Sequence, residues 1–274
     1  MGTLVKGVDK AAVVNGLRLH YLEWGNEGHP TMILLHGLTS HAHSWDHFAS
    51  AMSEEYHIFA LDQRGHGDSE WSRESAYSTS NYVSDLDALV KVLGIGRFVL
   101  IGLSMGAHNS MSFAAYYPER VEKLVPVDIG AAYQHPGPEE MKKRRASLKT
   151  EFDSLDEVVA QARQMNPRAS DEMLRYRVEH GTKKLSNGKI TFKYDSNASI
   201  HWNPKDLWMS LPTIKCPTLI VRGAESDVLT QTEAEKMEKT ISGSRLVVIE
   251  GAGHTIPADQ PEKFEEAVRS FLTG

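Results

Sequence analysis

Short apolar runs and stretches of helical periodicity alternate along the chain. Thr31–Leu35, Tyr56–Leu61, Arg97–Ile101, Lys123–Ile129, Thr218–Val221 and Arg245–Ile249 are continuous or nearly continuous apolar runs rich in β-branched residues. Runs of that length without polar alternation predict strands buried on both faces. Between them, Trp45–Met52, Asn81–Leu93, Ala107–Tyr117 and Pro261–Leu272 carry apolar residues at helical spacing. An Asn15-Gly16 dipeptide between the alternating runs Val13–Val14 and Leu17–Trp24 predicts a hairpin at the edge of the sheet. Strands buried on both faces and separated by helices imply an α/β fold, a mostly parallel twisted sheet with helices on both faces.

One segment interrupts this alternation. No buried strand is predicted between Gly130 and Leu211, about 80 residues where an α/β connection usually takes 2–6. Helical patterns run through Glu139–Lys149, Leu155–Met165 and Asp171–Glu179, and Asn187-Gly188 marks a turn. The expected organisation is a core from residues 1–130 and 212–274, with a mainly helical cap, residues 131–211, inserted in it. The basic run Met141–Lys149 reads as a solvated helix face.

Composition narrows the class. Hydrophobic residues make up 41% of 274, enough for a sizeable core, and a formal charge of −6 gives no reason to expect nucleic acid or an anionic membrane as partner. With one cysteine, Cys216, no intrachain disulfide can form. There is no 18-residue apolar stretch and no signal-like segment over Met1–Lys10. The expectation is a cytoplasmic monomer or homodimer acting on a small molecule without a cofactor or metal.

The candidate chemistry centres on Gly102-Leu103-Ser104-Met105-Gly106, a serine between a predicted strand and a predicted helix with glycines two residues to either side. A strand-to-helix turn this sharp crowds its flanks and admits only small residues there. Serine needs a base, and the base needs a carboxylate to hold its tautomer. Of 13 histidines, His254 in Gly251-Ala252-Gly253-His254 follows a buried strand on a glycine-rich loop. His66 sits between two glycines and reads as a turn residue. His41, His43 and His47 read as surface or core residues. Two carboxylates remain open: Asp227, in the loop after Thr218–Val221, and Asp128, at the end of the preceding strand. Both give the order Ser…Asp…His, and Asp227 is preferred. Backbone N–H groups of Met105 and Leu38 are the candidate oxyanion donors, each worth roughly 3 kcal/mol in the transition state.

His36-Gly37-Leu38, Asp62-Gln63-Arg64-Gly65-His66-Gly67-Asp68-Ser69, the turn Gly102–Gly106, Arg222-Gly223 with Asp227, and Gly251–His254 together resemble the α/β-hydrolase superfamily, in its branch with a helical cap and a serine nucleophile. The resemblance implies a Ser104–His254–Asp227 triad with Leu38 and Met105 as the oxyanion hole. It also implies a bracing role for Asp62, Arg64 and Gly65. A serine at position 104 disfavours epoxide hydrolase and haloalkane dehalogenase activity, which use an aspartate. The expected activity is hydrolysis of a carboxylic ester or lactone, with carbon–carbon bond hydrolysis of a ring-cleavage dienoate as alternative and a non-catalytic receptor as a further one. The alternative needs an arginine for a second carboxylate, from among Arg144, Arg145, Arg163, Arg168, Arg175 and Arg177. His36, Gly37, Trp45, Tyr133, Trp202 and Trp208 are the candidate pocket wall.

Overall fold

A computed structural model describes residues 4–134 and 136–274, without the side chains of Pro138 and Arg145. In chain order the elements are β1 Val8–Val14, β2 Leu17–Trp24, β3 Thr31–Leu35, α1 Asp46–Met52, β4 His57–Leu61, α2 Thr79–Val92, β5 Phe98–Leu103, α3 Met105–Tyr116 and β6 Val121–Val127. Then come α4 Pro138–Ala146, β7 Glu151–Phe152, α5 Leu155–Met165, α6 Asp171–Gly181, β8 Thr182–Lys184, β9 Ile190–Phe192 and α7 Ser196–His201. The chain closes with β10 Thr218–Gly223, α8 Gln231–Thr240, β11 Ser244–Ile249, α9 Ile256–Asp259 and α10 Pro261–Thr273.

Eight strands form one sheet in the order β1-β2-β4-β3-β5-β6-β10-β11. The β1–β2 and β2–β4 pairings are antiparallel and the rest parallel. The hairpin turns on Asn15 and Gly16, both at positive φ (49° and 76°), as a two-residue loop matching strand twist requires. Alternate residues of each strand feed opposite layers. Ile33, Leu35 and Leu100 pack with α2, α3 and α8, whereas Met32, Leu34, Val99 and Ile101 pack with α1 and α10. Burial on both faces is why these strands carry no polar alternation.

The segment between β6 and β10 lies outside this sheet. Besides the helices it contains a three-stranded antiparallel sheet, β7-β9-β8, whose hairpin turns at Asn187-Gly188. The sequence reading expected that turn but not the sheet, because strands of two or three residues are too short to show a period. Polar contacts tie the segment to the core. Tyr77 Oη donates to Asp195 (2.6 Å), His41 Nε2 donates to the Arg177 carbonyl (3.0 Å), and His108 Nε2 donates to the Lys205 carbonyl (2.8 Å). No helix among the described residues is long and apolar enough to cross a membrane.

Two of these ties use histidines that stay neutral, and His66, bonded to the Arg64 carbonyl in the core, does the same. Burial pushes His41 and His66 down to about 3 and His108 to about 4. In the unfolded chain each returns to about 6.5. Between those values the unfolded state binds protons that the folded state refuses, so stability falls as pH falls. His20 is shifted the other way: hydrogen bonds to Asp62 and Asp9 outweigh its burial, so it offsets one of the three. The urea midpoint should therefore decline steadily from pH 7 to pH 5, with a loss of about 1 kcal/mol or more per pH unit. A flat profile across that interval would contradict the neutral assignment.

Candidate active site

Ser104 stands between β5 and α3 at φ 54°, ψ −117°, a conformation that a serine rarely adopts. Its own N–H is held by the Val127 carbonyl of the neighbouring strand (2.9 Å). The flanking glycines permit the turn. A Cβ on Gly102 would lie 2.3 Å from the Gly106 carbonyl oxygen, and one on Gly106 would lie 2.2 Å from that of Leu35. Both separations are far inside van der Waals contact. Gly37 runs alongside: a Cβ there would sit 3.4 Å from the Ser104 Cβ. Met105 opens α3, so its N–H has no intrahelical acceptor. The Leu38 N–H, on the loop after β3, also has no hydrogen-bond acceptor among the described residues.

His254 follows β11, and its side chain is 31% exposed. Its Nδ1 is 2.8 Å from Oδ2 of Asp128, a fully buried carboxylate. A carboxylate there accepts, so Nδ1 carries the proton and Nε2 keeps its lone pair. Asp128 also accepts from the Gly223 N–H (3.1 Å) and from the Ser226 hydroxyl. It lies one residue past β6 at φ 52°.

The expected partnership of His254 with Asp227 is therefore corrected. After β10 the chain makes a tight turn, with the Ser226 N–H bonded to the Gly223 carbonyl (3.1 Å). That turn presents the Ser226 hydroxyl to the buried carboxylate. Asp227 makes no hydrogen bond to His254 among the described residues. It lines a polar cleft of about 280 Å³ beside His254, together with Arg168, Glu225 and Asp259. Both aspartates lie near the imidazole, but Asp128 holds it.

The pocket candidates separate. His36 is fully buried with both ring nitrogens engaged: Nδ1 donates to the Gly37 carbonyl (2.8 Å) and Nε2 accepts from the Gln63 N–H (3.0 Å). It is structural, contrary to expectation. Trp45 lies in the core against Phe48 and Phe264. One side of it reaches a small cavity shared with Leu103, Arg177 and Thr255. Tyr133 stacks on Trp202, which is buried and meets His108 edge-on. Trp208 faces the Lys236 ammonium, 3.8 Å from its ring centre, so it packs against α8. Arg64 forms a buried bidentate pair with Asp85, and Asp62 accepts from the Ala42 and Asp68 N–H groups. Both brace loops.

Ser226 is a residue that the sequence reading left without a role, and Arg177 one that it left unranked. The first showed only as a small polar residue beside a preferred aspartate. The second was one of six unranked arginines, of which the Arg145 side chain lies outside the described residues. Two groups, His43–Asp46–His180 and His20–Asp62–Asp68, bring possible metal-ligand atoms within 4.8 Å of one another. In each, a histidine Nδ1 already donates to the central carboxylate, at 2.8 and 2.7 Å.

Residues 30–261 match the family model described as the alpha/beta hydrolase fold. The chain belongs to the α/β-hydrolase family. It is 28% identical over 257 residues to an esterase of Mycobacterium tuberculosis, covering 92% of this chain and 85% of that one. It is 29% identical over 280 residues to the N-formylmaleamate deformylase of Pseudomonas putida, covering 99% and 98%. The crystal structure of E-2-(acetamidomethylene)succinate hydrolase superposes with a TM-score of 0.89 at 26% identity, covering 98% of this chain and 100% of that one. The fold expected from the sequence is thus the fold observed, and hydrolysis is the chemistry of its named relatives.

The carboxylate assignment has a direct test. Asp128→Asn removes the acceptor that fixes the His254 tautomer and should lower kcat by about 10³–10⁴-fold, as loss of a triad acid does elsewhere. Asp227→Asn should cost at least 100-fold less than Asp128→Asn. Steady-state kinetics on one ester decide it, and the reverse ranking would restore Asp227.

Proposed function

We propose that this hydrolase cleaves a carboxylic ester, lactone or activated amide of a small molecule through an acyl-enzyme on Ser104. The observation that carries the reading is the buried Asp128 carboxylate bonded to Nδ1 of His254, because it leaves Nε2 free as a base on the open side. Leu103 and Thr255, the chain neighbours of Ser104 and His254, border one void of about 10 Å³, which supports the two loops lying side by side.

In this reading the imidazole removes the Ser104 proton as Oγ attacks the acyl carbon. The oxyanion is met by the Leu38 and Met105 N–H groups, with the helix N-terminus adding favourable field. His254 then gives the proton to the leaving group, and the acyl-enzyme remains. Water enters, is deprotonated by His254, and releases the acid with Ser104 restored. Asp128 stays ionised and stabilises the imidazolium throughout. Residues 131–211 act as the cap over this centre. Relatives named for hydrolysis of 2-(acetamidomethylene)succinate and deformylation of N-formylmaleamate extend the scissile bond from esters to amides.

Ser104→Ala should abolish hydrolysis of 4-nitrophenyl butyrate while leaving the far-UV circular dichroism and the thermal midpoint near the wild-type values. In the wild type, an organophosphonate should add one equivalent of label at Ser104, detected by peptide mass spectrometry. Undiminished turnover in the variant, or label on another residue, would remove Ser104 from the role.

A further inference from the structure

We infer that His43, Asp46 and His180 form a binding site for a divalent transition-metal ion of the zinc class, which fastens the inserted segment to the core. The site is apart from Ser104, His254 and Asp128, and it does not rest on the hydrolase reading. His43 lies in the turn between β3 and α1, Asp46 opens α1, and His180 is in the last turn of α6. One ligand atom from each lies within 4.8 Å of those of the other two. Tetrahedral zinc holds its ligand atoms about 3.3 Å apart, so modest side-chain rotations close the set. Sequence spacing does not show the group, because its third member comes from a different segment of the chain.

The three side chains carry unused ligand capacity. Asp46 is 6% exposed, and its Oδ1 is buried without a hydrogen-bond partner. A buried carboxylate oxygen with nothing to accept is costly. The other oxygen, Oδ2, accepts from His43 Nδ1 (2.8 Å) and from Tyr176 Oη. The His180 ring stacks on that of His43, 3.8 Å between centres, and neither of its nitrogens has a hydrogen-bond partner among the described residues. The cluster His20–Asp62–Asp68 differs in this respect. Both His20 nitrogens are engaged, by Asp62 (2.7 Å) and Asp9 (3.0 Å). Both Asp62 oxygens also accept from backbone, Oδ1 from the Ala42 N–H (2.6 Å) and Oδ2 from the Asp68 N–H (2.9 Å). Those atoms are committed to the fold.

Two imidazole nitrogens and one carboxylate oxygen suit zinc, copper or nickel rather than magnesium or calcium, which take oxygen ligands. Three protein ligands leave a fourth position for water. Coordination exchanges the His43–Asp46 hydrogen bond for bonds to the ion, and the Nδ1 proton leaves to solvent. Tyr176 keeps its hydrogen bond to Oδ2 and holds the carboxylate so that Oδ1 is presented. The ligands are assembled only while α6 is docked, so the ion stabilises the docked helix.

The test is zinc titration at pH 7.5 of protein treated with a chelator and desalted. Calorimetry should show one ion per chain with a Kd of about 1 µM or tighter. Saturating zinc should raise the thermal midpoint by about 3 °C or more and slow amide hydrogen exchange in α6. His43→Ala, His180→Ala and Asp46→Asn should each weaken binding by about 30-fold or more and abolish the exchange effect, with circular dichroism near that of the wild type. His180 is half-buried at the surface, so His180→Ala keeps the test decisive if Asp46→Asn does not fold. His254→Ala should bind zinc as the wild type does. Saturable binding no tighter than about 100 µM overturns the inference. So does a Kd unchanged in His180→Ala, which places the ion on the His43 turn alone, or binding lost in His254→Ala, which places it at the proposed catalytic site.

Discussion

A carboxylate with no solvent exposure sits at the junction of three strand ends, and the geometry around it follows from that charge. Asp128 needs donors, and it takes them from the Gly223 N–H after β10, the Ser226 hydroxyl in the next turn and the His254 imidazole after β11. Without them a buried anion would be displaced or protonated. With them, one side chain joins the ends of β6, β10 and β11. The residue reaches this position by adopting a positive φ just past the strand. Ser104, just past the adjacent β5, does the same. The two strained residues are coupled directly, since the Ser104 N–H is bonded to the carbonyl of Val127, the residue before Asp128. Strain of this kind persists only where the surroundings over-determine it. Here parallel strand pairing on one side and glycine-limited packing on the other supply the constraint.

The same physics explains what could be read from residues alone. Strands buried on both faces leave long apolar runs, so β3 to β6 and β10 were visible to within two residues; the edge strand β11 showed by the same apolar run although only Ile249 in it is buried. Helix α8 was not, because eight of its ten residues are polar and only Ala234 and Met237 are buried. The serine and histidine were legible because glycines must surround them. The choice between Asp128 and Asp227 was not, because adjacent strands end side by side and both aspartates satisfy the chain order. What separates them is the path of one turn, fixed by a backbone hydrogen bond from Ser226 to Gly223. No periodicity encodes that.

The inserted segment divides in the same way. Its three longer helices were predictable from period, but which of its charged side chains face the site was not. Charge pairs such as Arg163–Asp171 and Arg175–Asp156 are exposed and contribute little to stability. Arg177 is the described arginine of this segment with no carboxylate at ion-pair distance; its guanidinium meets the Ser40 hydroxyl instead.

Helix α6 is fastened to the core along its last two turns. Tyr176, the Arg177 carbonyl and His180 are successive points of attachment, made to Asp46, His41 and His43 on one short stretch after β3. The loop alongside Ser104, residues 36–40, leads directly into that stretch. A shift of α6 would therefore strain that loop as well. Acyl chemistry depends on donors placed to within a few tenths of an ångström. Fastening α6 and this loop to each other holds the surroundings of Ser104 in one frame.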